Sequence, residues 1–157
     1  MDLLNISKFS HIDLRSENEF EKGTIPNSIN LPILKNDEFQ AVGKEYKIHG
    51  QEAAMKLGLE LTSGSTKEDR IKGWETHINS NIGCSIFCFR GGLRSQLAQE
   101  WLSEKKINVD RLAGGYKNIR NKILEQFIGT QIYRKKWFIL GGLTGSGKTV
   151  LLNKFNQ

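Results

Sequence analysis

Apolar positions along this chain follow two periods that alternate. Short apolar runs, suited to strands, are separated by longer stretches in which apolar residues recur every three or four positions, as on one face of a helix. Residues 11–14 (HIDL) predict a first short strand. Ser16 then offers a helix cap, with Glu17 and Glu19 in the first turn, where carboxylates suit the helix dipole. Gly23 and Pro26 end that helix. Residues 28–31 predict a second strand, closed by Pro32. A long polar helix is expected over 36–61, with Ala53, Leu57 and Leu61 along one side, followed by a loop at 62–66 and a helix at 71–78. Residues 85–89 (SIFCF) form the clearest buried strand. A Gly-Gly turn leads to a helix at 94–105, where Leu97, Ala98, Trp101 and Leu102 share a face. Residues 109–112 predict the last strand of the body, Gly114 and Gly115 a turn, 118–127 a helix, and 137–140 a new strand. The expected architecture is α/β: a parallel sheet flanked by helices over 1–128, then a linker and the start of a second unit over 129–157.

Composition adds bounds. The chain has 157 residues, 38% hydrophobic and 25% charged, ordinary for a domain that buries a core. No apolar run reaches the roughly 18–20 residues of a membrane helix, and the first residues, MDLLNISKFS, lack a secretion signal, so a cytoplasmic protein with no membrane partner is expected. Two cysteines, Cys84 and Cys88, are too few for a disulfide scaffold. The net charge of +6 is uneven: beyond residue 129 stand Arg134, Lys135, Lys136, Lys148 and Lys154 and no acid, while the body is nearly neutral. A basic tail suits an anion or nucleic acid, and equally a solvated junction.

The chemistry concentrates in CFRGGLRS. A cysteine at the end of a buried strand, facing a helix start, sits where backbone N–H groups converge. Cys88 is the candidate catalytic thiolate, and Phe89, Arg90, Gly91, Gly92, Leu93, Arg94 and Ser95 are the candidate anion cradle. Gly91 and Gly92 permit the inward turn of the N–H groups, while Arg90 and Arg94 are expected to add positive charge. Such a cradle suits a persulfide, a perselenide or a phosphate. The Cys-x5-Arg spacing by itself also fits cysteine-dependent phosphatases, and a non-catalytic binding module is a third alternative.

A second motif, residues 142–149 (GLTGSGKT), matches G-x-x-x-x-G-K-[ST] without a mismatch. Gly142, Gly145 and Gly147 free the backbone to wrap phosphates, Lys148 supplies charge, and the Thr149 hydroxyl suits a magnesium-bound phosphate. A lone strand and helix cannot bury a parallel-sheet core, so this site is expected to be incomplete.

The stretch DLRSENEFEKGTIPNSINLPI resembles the N-terminal signature of the rhodanese family, through Asp13, Arg15, Ser16, Glu19, Phe20, Gly23, Ile25, Pro26, Ile29, Asn30 and Pro32. In that family Asp13 and Arg15 are framework or pocket-edge groups, and Thr24 replaces the usual histidine. A typical single-domain rhodanese has Cys-x4-Arg, one residue shorter than here. The ordered series GKEYKIHGQEAAMKLGLEL, CFRGGLRS, LAGGYKNIR and GGLTGSGKT is similar to the tRNA 2-selenouridine synthase family, whose loop has this extra residue. The resemblance covers essentially the whole chain. It implies a selenotransferase that acts on the wobble 2-thiouridine of tRNA. Sulfur is first geranylated from geranyl diphosphate, then the S-geranyl group is displaced by selenium from selenophosphate. Cys88 would serve the selenium step, and the P-loop would bind the diphosphate. It implies no tightly bound cofactor, tRNA as partner, and a selenophosphate-supplying enzyme as a second partner. Chains of that family are more than twice this long, so this segment alone is expected not to complete both steps. A simple sulfurtransferase remains an alternative.

Other residues carry weaker signals. Tyr116, Lys117 and Arg120, just beyond the last strand, lie on the edge where parallel sheets build sites and are candidate tRNA contacts. Cys84 reads as a core residue before a resolving thiol. Trp74 and Trp101 read as core aromatics. His77 with the cysteines has no metal-ligand spacing, so no metal is expected.

Overall fold

The computed structural model describes residues 6, 8–128 and 139–154. The chain divides into two compact units, Met1–Leu124 and Glu125–Gln157. In the first, four short strands form a parallel sheet: β1 (His11–Asp13), β2 (Ser28–Asn30), β3 (Ser85–Phe87) and β4 (Asp110–Arg111), in the order β2-β1-β3-β4. Ile12 sits in register with Ile29 on one side and Ile86 on the other. The helices are α1 (Glu17–Glu21), α2 (Asn36–Leu61), α3 (Ser65–Ser80), α4 (Leu93–Glu104) and α5 (Gly115–Ile128). This is the parallel α/β architecture expected from the alternating periods.

Each strand is about a residue or two shorter than its apolar run. Burial continues past the ladder: Leu14 and Cys88 are buried although the sheet has ended. Adjacent strand residues point to opposite faces. Thus Ile86 joins one core cluster, with Ile12, Trp74, Ala98, Trp101 and Leu102, while Phe87 joins a second, with Ile25, Leu112 and Ile119. Trp74 and Trp101 stack at 6.0 Å between α3 and α4, as core aromatics should.

Three helix boundaries differ from expectation. The helix expected over 71–78 begins at Ser65, because its polar first turns still form helix while leaving no apolar stripe to read. The long helix spans the expected 36–61 but breaks at Gly50 (φ 84°, ψ −170°), which divides it into two arms. The last helix of the body starts at Gly115 rather than residue 118, since the first N–H groups of its opening turn find acceptors in the Cys88 loop. At α1 the expected cap is present: the Ser16 N–H donates to the Glu19 carboxylate at 3.1 Å.

In the second unit, α6 (Lys148–Lys154) follows the glycine-rich turn. Of the strand expected at 137–140, Trp137 and Phe138 lie outside the described residues, and Ile139 and Leu140 carry no strand. Among the described residues no helix is long and apolar enough to cross a membrane.

Candidate functional site

Cys88 leaves the sheet at the carboxyl end of β3, on the side where parallel sheets place their sites. Its thiol is buried and lies 3.3 Å from the Ser95 hydroxyl, which donates to the Gly92 carbonyl at 3.0 Å. The strand does not continue because the next carbonyls are taken. The N–H of Tyr116 donates to the Cys88 oxygen at 3.0 Å, and that of Lys117 to the Phe89 oxygen at 2.9 Å. In a trans peptide the C=O and the following N–H point opposite ways. With the carbonyls turned toward α5, the N–H groups of Phe89 and Arg90 turn to the other side. Among the described residues no acceptor meets the N–H groups of Phe89, Arg90, Gly91 or Gly92. The start of α4 adds the N–H groups of Leu93 and Arg94, while those of Ser95 and Gln96 already meet the Gly92 carbonyl. The loop that follows the thiol therefore carries backbone N–H groups that no described residue accepts from.

Two glycines let it close. Gly91 has φ +68°, and Gly115, at φ +58°, presses on the loop from behind. A Cβ at Gly115 would strike the Cys88 oxygen and stand 2.6 Å from the Gly91 nitrogen.

The arginines are used otherwise than expected. Arg94 does not contribute an unbalanced charge to the cradle, because its guanidinium donates to both oxygens of Glu19, at 2.6 and 3.2 Å, and lies 4.9 Å from the Phe39 ring centre. Burial alone would raise the Glu19 pKa. The hydrogen bond and charge of Arg94, with help from Ser16 and Arg15, outweigh it and hold the carboxyl below its usual range. Arg90 is exposed and makes no ion pair with a described residue. Leu93, assigned to the cradle, points much of its side chain to solvent (51% exposed).

Beneath the loop lies a buried polar frame. Arg15 pairs with Asp13 at 2.6 Å, both almost fully buried, and donates to the Gly23 oxygen at 2.8 Å. The Thr24 hydroxyl donates to Asp13 at 2.8 Å, so the residue in the histidine position of the signature completes this frame. Tyr116, a candidate tRNA contact, is tied into it: the Arg15 guanidinium covers its ring at 3.9 Å, and Phe89 lies at 6.4 Å. Lys117 and Arg120 stand exposed on α5.

Cys84 belongs to the core, and burial pushes its thiol up to about 11. At pH 8 only about one molecule in a thousand would carry the thiolate. Cys84 should therefore stay unlabelled by iodoacetamide at pH 8 in the folded chain and become labelled in urea, as read by peptide mass spectrometry. Labelling of Cys84 at equal rates in both states would contradict its burial. His77 bonds to Ser10 at 2.7 Å, and no group of potential metal ligands occurs among the described residues.

In the second unit, the Lys148 ammonium donates to the carbonyls of Gly142 (2.8 Å) and Leu143 (2.6 Å) and to the Ser146 hydroxyl at 3.2 Å. Gly145 and Gly147 take positive φ in the turn before it, and Thr149 lies exposed in the first turn of α6.

Three contributions were missed from sequence: Glu19 as the partner of Arg94, Gly115 as the backing of the loop, and Thr24 as a donor to Asp13. A carboxylate inside the E-F pair of the signature was the available signal for the first. The other two depend on contacts between distant segments.

Residues 1–122 match the family described as rhodanese-like domain. A protein of Sulfurovum sp. named tRNA 2-selenouridine synthase is 47% identical over 93% of this chain and 40% of its own length. Proteins of the same name from Shewanella denitrificans (45% identical, 90% of this chain, 38% of theirs) and Pseudomonas fluorescens (42%, 90% and 38%) are similar to it as well. The chain spans about two fifths of the length of these curated relatives. A solved structure, the N-terminal domain of a putative ATP/GTP binding protein from Clostridium difficile 630, is 34% identical, covers 78% of this chain and 95% of that one, and superposes with a TM-score of 0.66.

Proposed function

The chain belongs to the rhodanese-like domain family, and from that premise we propose that it is the selenium-transferring part of a tRNA 2-selenouridine synthase. The observation that carries this reading is the buried Cys88 thiol at the head of a loop whose backbone N–H groups have no acceptor among the described residues, with the Cys88 and Phe89 carbonyls held by α5. Backbone donors at a helix start stabilise an anion next to the sulfur without a metal or a free side-chain charge. The names of the relatives supply the substrate class.

In this reading selenophosphate delivers selenium to the loop. The selenium of selenophosphate attacks C2 of the wobble base, and the C2–Se bond forms as the C2–S bond breaks. The geranyl group leaves on sulfur and takes a proton as the alkylthiol, and water then cleaves the Se–P bond and releases inorganic phosphate. Cys88 is the catalytic residue of that step. Lys117 and Arg120 offer charge to tRNA phosphates. Gly142, Gly145, Gly147, Lys148 and Thr149 would hold the diphosphate of geranyl diphosphate for the earlier alkylation. No tightly bound cofactor is required, a selenophosphate-supplying enzyme is the natural partner, and the cytoplasm is where both tRNA and donor meet the chain. The phosphatase alternative needs the Arg94 guanidinium on a phosphate, and that group is on Glu19.

The test is a chimera in which residues 1–128 replace the corresponding part of the Sulfurovum relative. Cys88→Ser should lower 2-selenouridine in digested tRNA by roughly a hundredfold or more while S-geranylated nucleoside persists. Undiminished selenium incorporation overturns the reading, as does robust Cys88-dependent hydrolysis of an aryl phosphate.

A further inference from the structure

Arg111 ends β4, an edge strand, at the same carboxyl end of the sheet from which Cys88 leaves β3. Its guanidinium donates from Nε to the Gln99 side-chain oxygen at 2.7 Å and from Nη1 to the Gly91 carbonyl at 3.3 Å. Gln99, on α4, is itself held, since its amide nitrogen donates to the Val109 carbonyl at 2.8 Å. Arg111 is half-buried and forms no ion pair with a described residue. The neighbouring Asp110 points to the other face of the strand. A half-buried charge is screened less than that of Arg90, which stands in solvent.

The bond to Gly91 completes a pattern. The Cys88 and Phe89 carbonyls accept from α5, that of Gly92 from Ser95 and Gln96, and that of Gly91 from Arg111. A carbonyl and the N–H that follows it point opposite ways. Arg111 therefore stands behind the Gly91–Gly92 peptide and turns the Gly92 N–H away from itself. A charged donor on the carbonyl also polarises that peptide, which makes its N–H a stronger donor. Unaccepted N–H groups backed by a cation without a counter-ion suit an oxyanion.

We propose that Arg111 is a positioning residue of the Cys88 loop: by holding the Gly91 carbonyl it fixes and polarises the Gly91–Gly92 peptide for capture of a phosphate-like oxyanion. It brings to the loop the charge that Arg94, paired with Glu19, does not. The inference rests on the proposed function only in taking selenophosphate as the native anion.

The probe is inorganic phosphate, titrated into the nitrogen-15-labelled 157-residue chain while the Gly91 and Gly92 amide resonances are followed. Both should shift along one saturable curve. Gly145 and Gly147 report phosphate at the second motif separately. Arg111→Gln should raise the Kd read at Gly91 and Gly92 about tenfold. Arg111→Lys, which keeps a cationic donor, should stay within about threefold of the native chain, a rescue that a merely packing role would not show. Gln99→Leu keeps the charge but loses its orienting partner, and should raise Kd about threefold. Dispersed amide spectra report that each variant folds, and if Arg111→Gln does not, Gln99→Leu carries the test. The inference is overturned by the absence of a saturable shift at Gly91 and Gly92, by native affinity in folded Arg111→Gln or Gln99→Leu, or by equal losses in Arg111→Lys and Arg111→Gln. Phosphate binding is read without selenium transfer. Binding through Arg111 in a chain whose chimera incorporates no selenium would sink the proposed function and leave this inference standing.

Discussion

Replacing Gly115 by alanine should cost about 3 kcal/mol of stability and disable Cys88 without touching its thiol. Two penalties add. A non-glycine residue near φ +58° is strained by roughly 1–2 kcal/mol. The new methyl also meets backbone rather than a flexible side chain: the Cys88 oxygen and the Gly91 nitrogen. Backbone yields only by moving the loop or the start of α5, and either movement breaks the hydrogen bonds from Tyr116 and Lys117. Urea unfolding measures the stability loss, and the chimera measures selenium incorporation, expected to fall at least tenfold. A variant within about 0.5 kcal/mol of the native chain and fully active would show that Gly115 does not brace the loop.

Asp13→Ala should be still more damaging, at about 3–5 kcal/mol. Asp13 is fully buried and Arg15 is 2% exposed, so removing the carboxylate leaves a guanidinium in the core beside the Gly23 carbonyl and the Tyr116 and Phe87 rings, with no counter-charge from Asp13. The Thr24 hydroxyl loses its acceptor as well. Much of the cost is the orphaned charge and not the worth of the pair itself. The double variant Asp13→Ala/Arg15→Met should therefore recover a large part of the loss, and the coupling is read from a double-mutant cycle in urea. If the double variant is as unstable as the sum of the single ones, the two residues are not acting as a buried pair.

The sequence was most legible where chemistry is local. The Ser16–Glu19 cap, the limits of the long helix at 36–61 and the strand-turn-helix around Cys88 all follow from residues within a few positions of one another. The core placement of Trp74 and Trp101 was legible as well, but their stacking across two helices was not. What escaped was decided by contact between distant segments. Glu19 takes the charge of Arg94 from 75 residues away, and no local pattern reveals that a basic residue is already neutralised. The cover of the Tyr116 ring by Arg15 likewise joins segments far apart in the chain. Polar helix starts such as Ser65 leave no apolar stripe, and the break at Gly50 was hidden inside an otherwise continuous helical stretch.

The capture of the Cys88 and Phe89 carbonyls by α5 bears on the number of residues between Cys88 and Arg94. That span is fixed at both ends, by α5 behind its first two peptides and by the Arg94–Glu19 pair at the head of α4. Removing one residue would pull either the carbonyls from their donors or the arginine from its carboxylate. Loop length in this frame is thus a dimension of the scaffold, like the gauge of a track, and a poor guide to which atom travels along it.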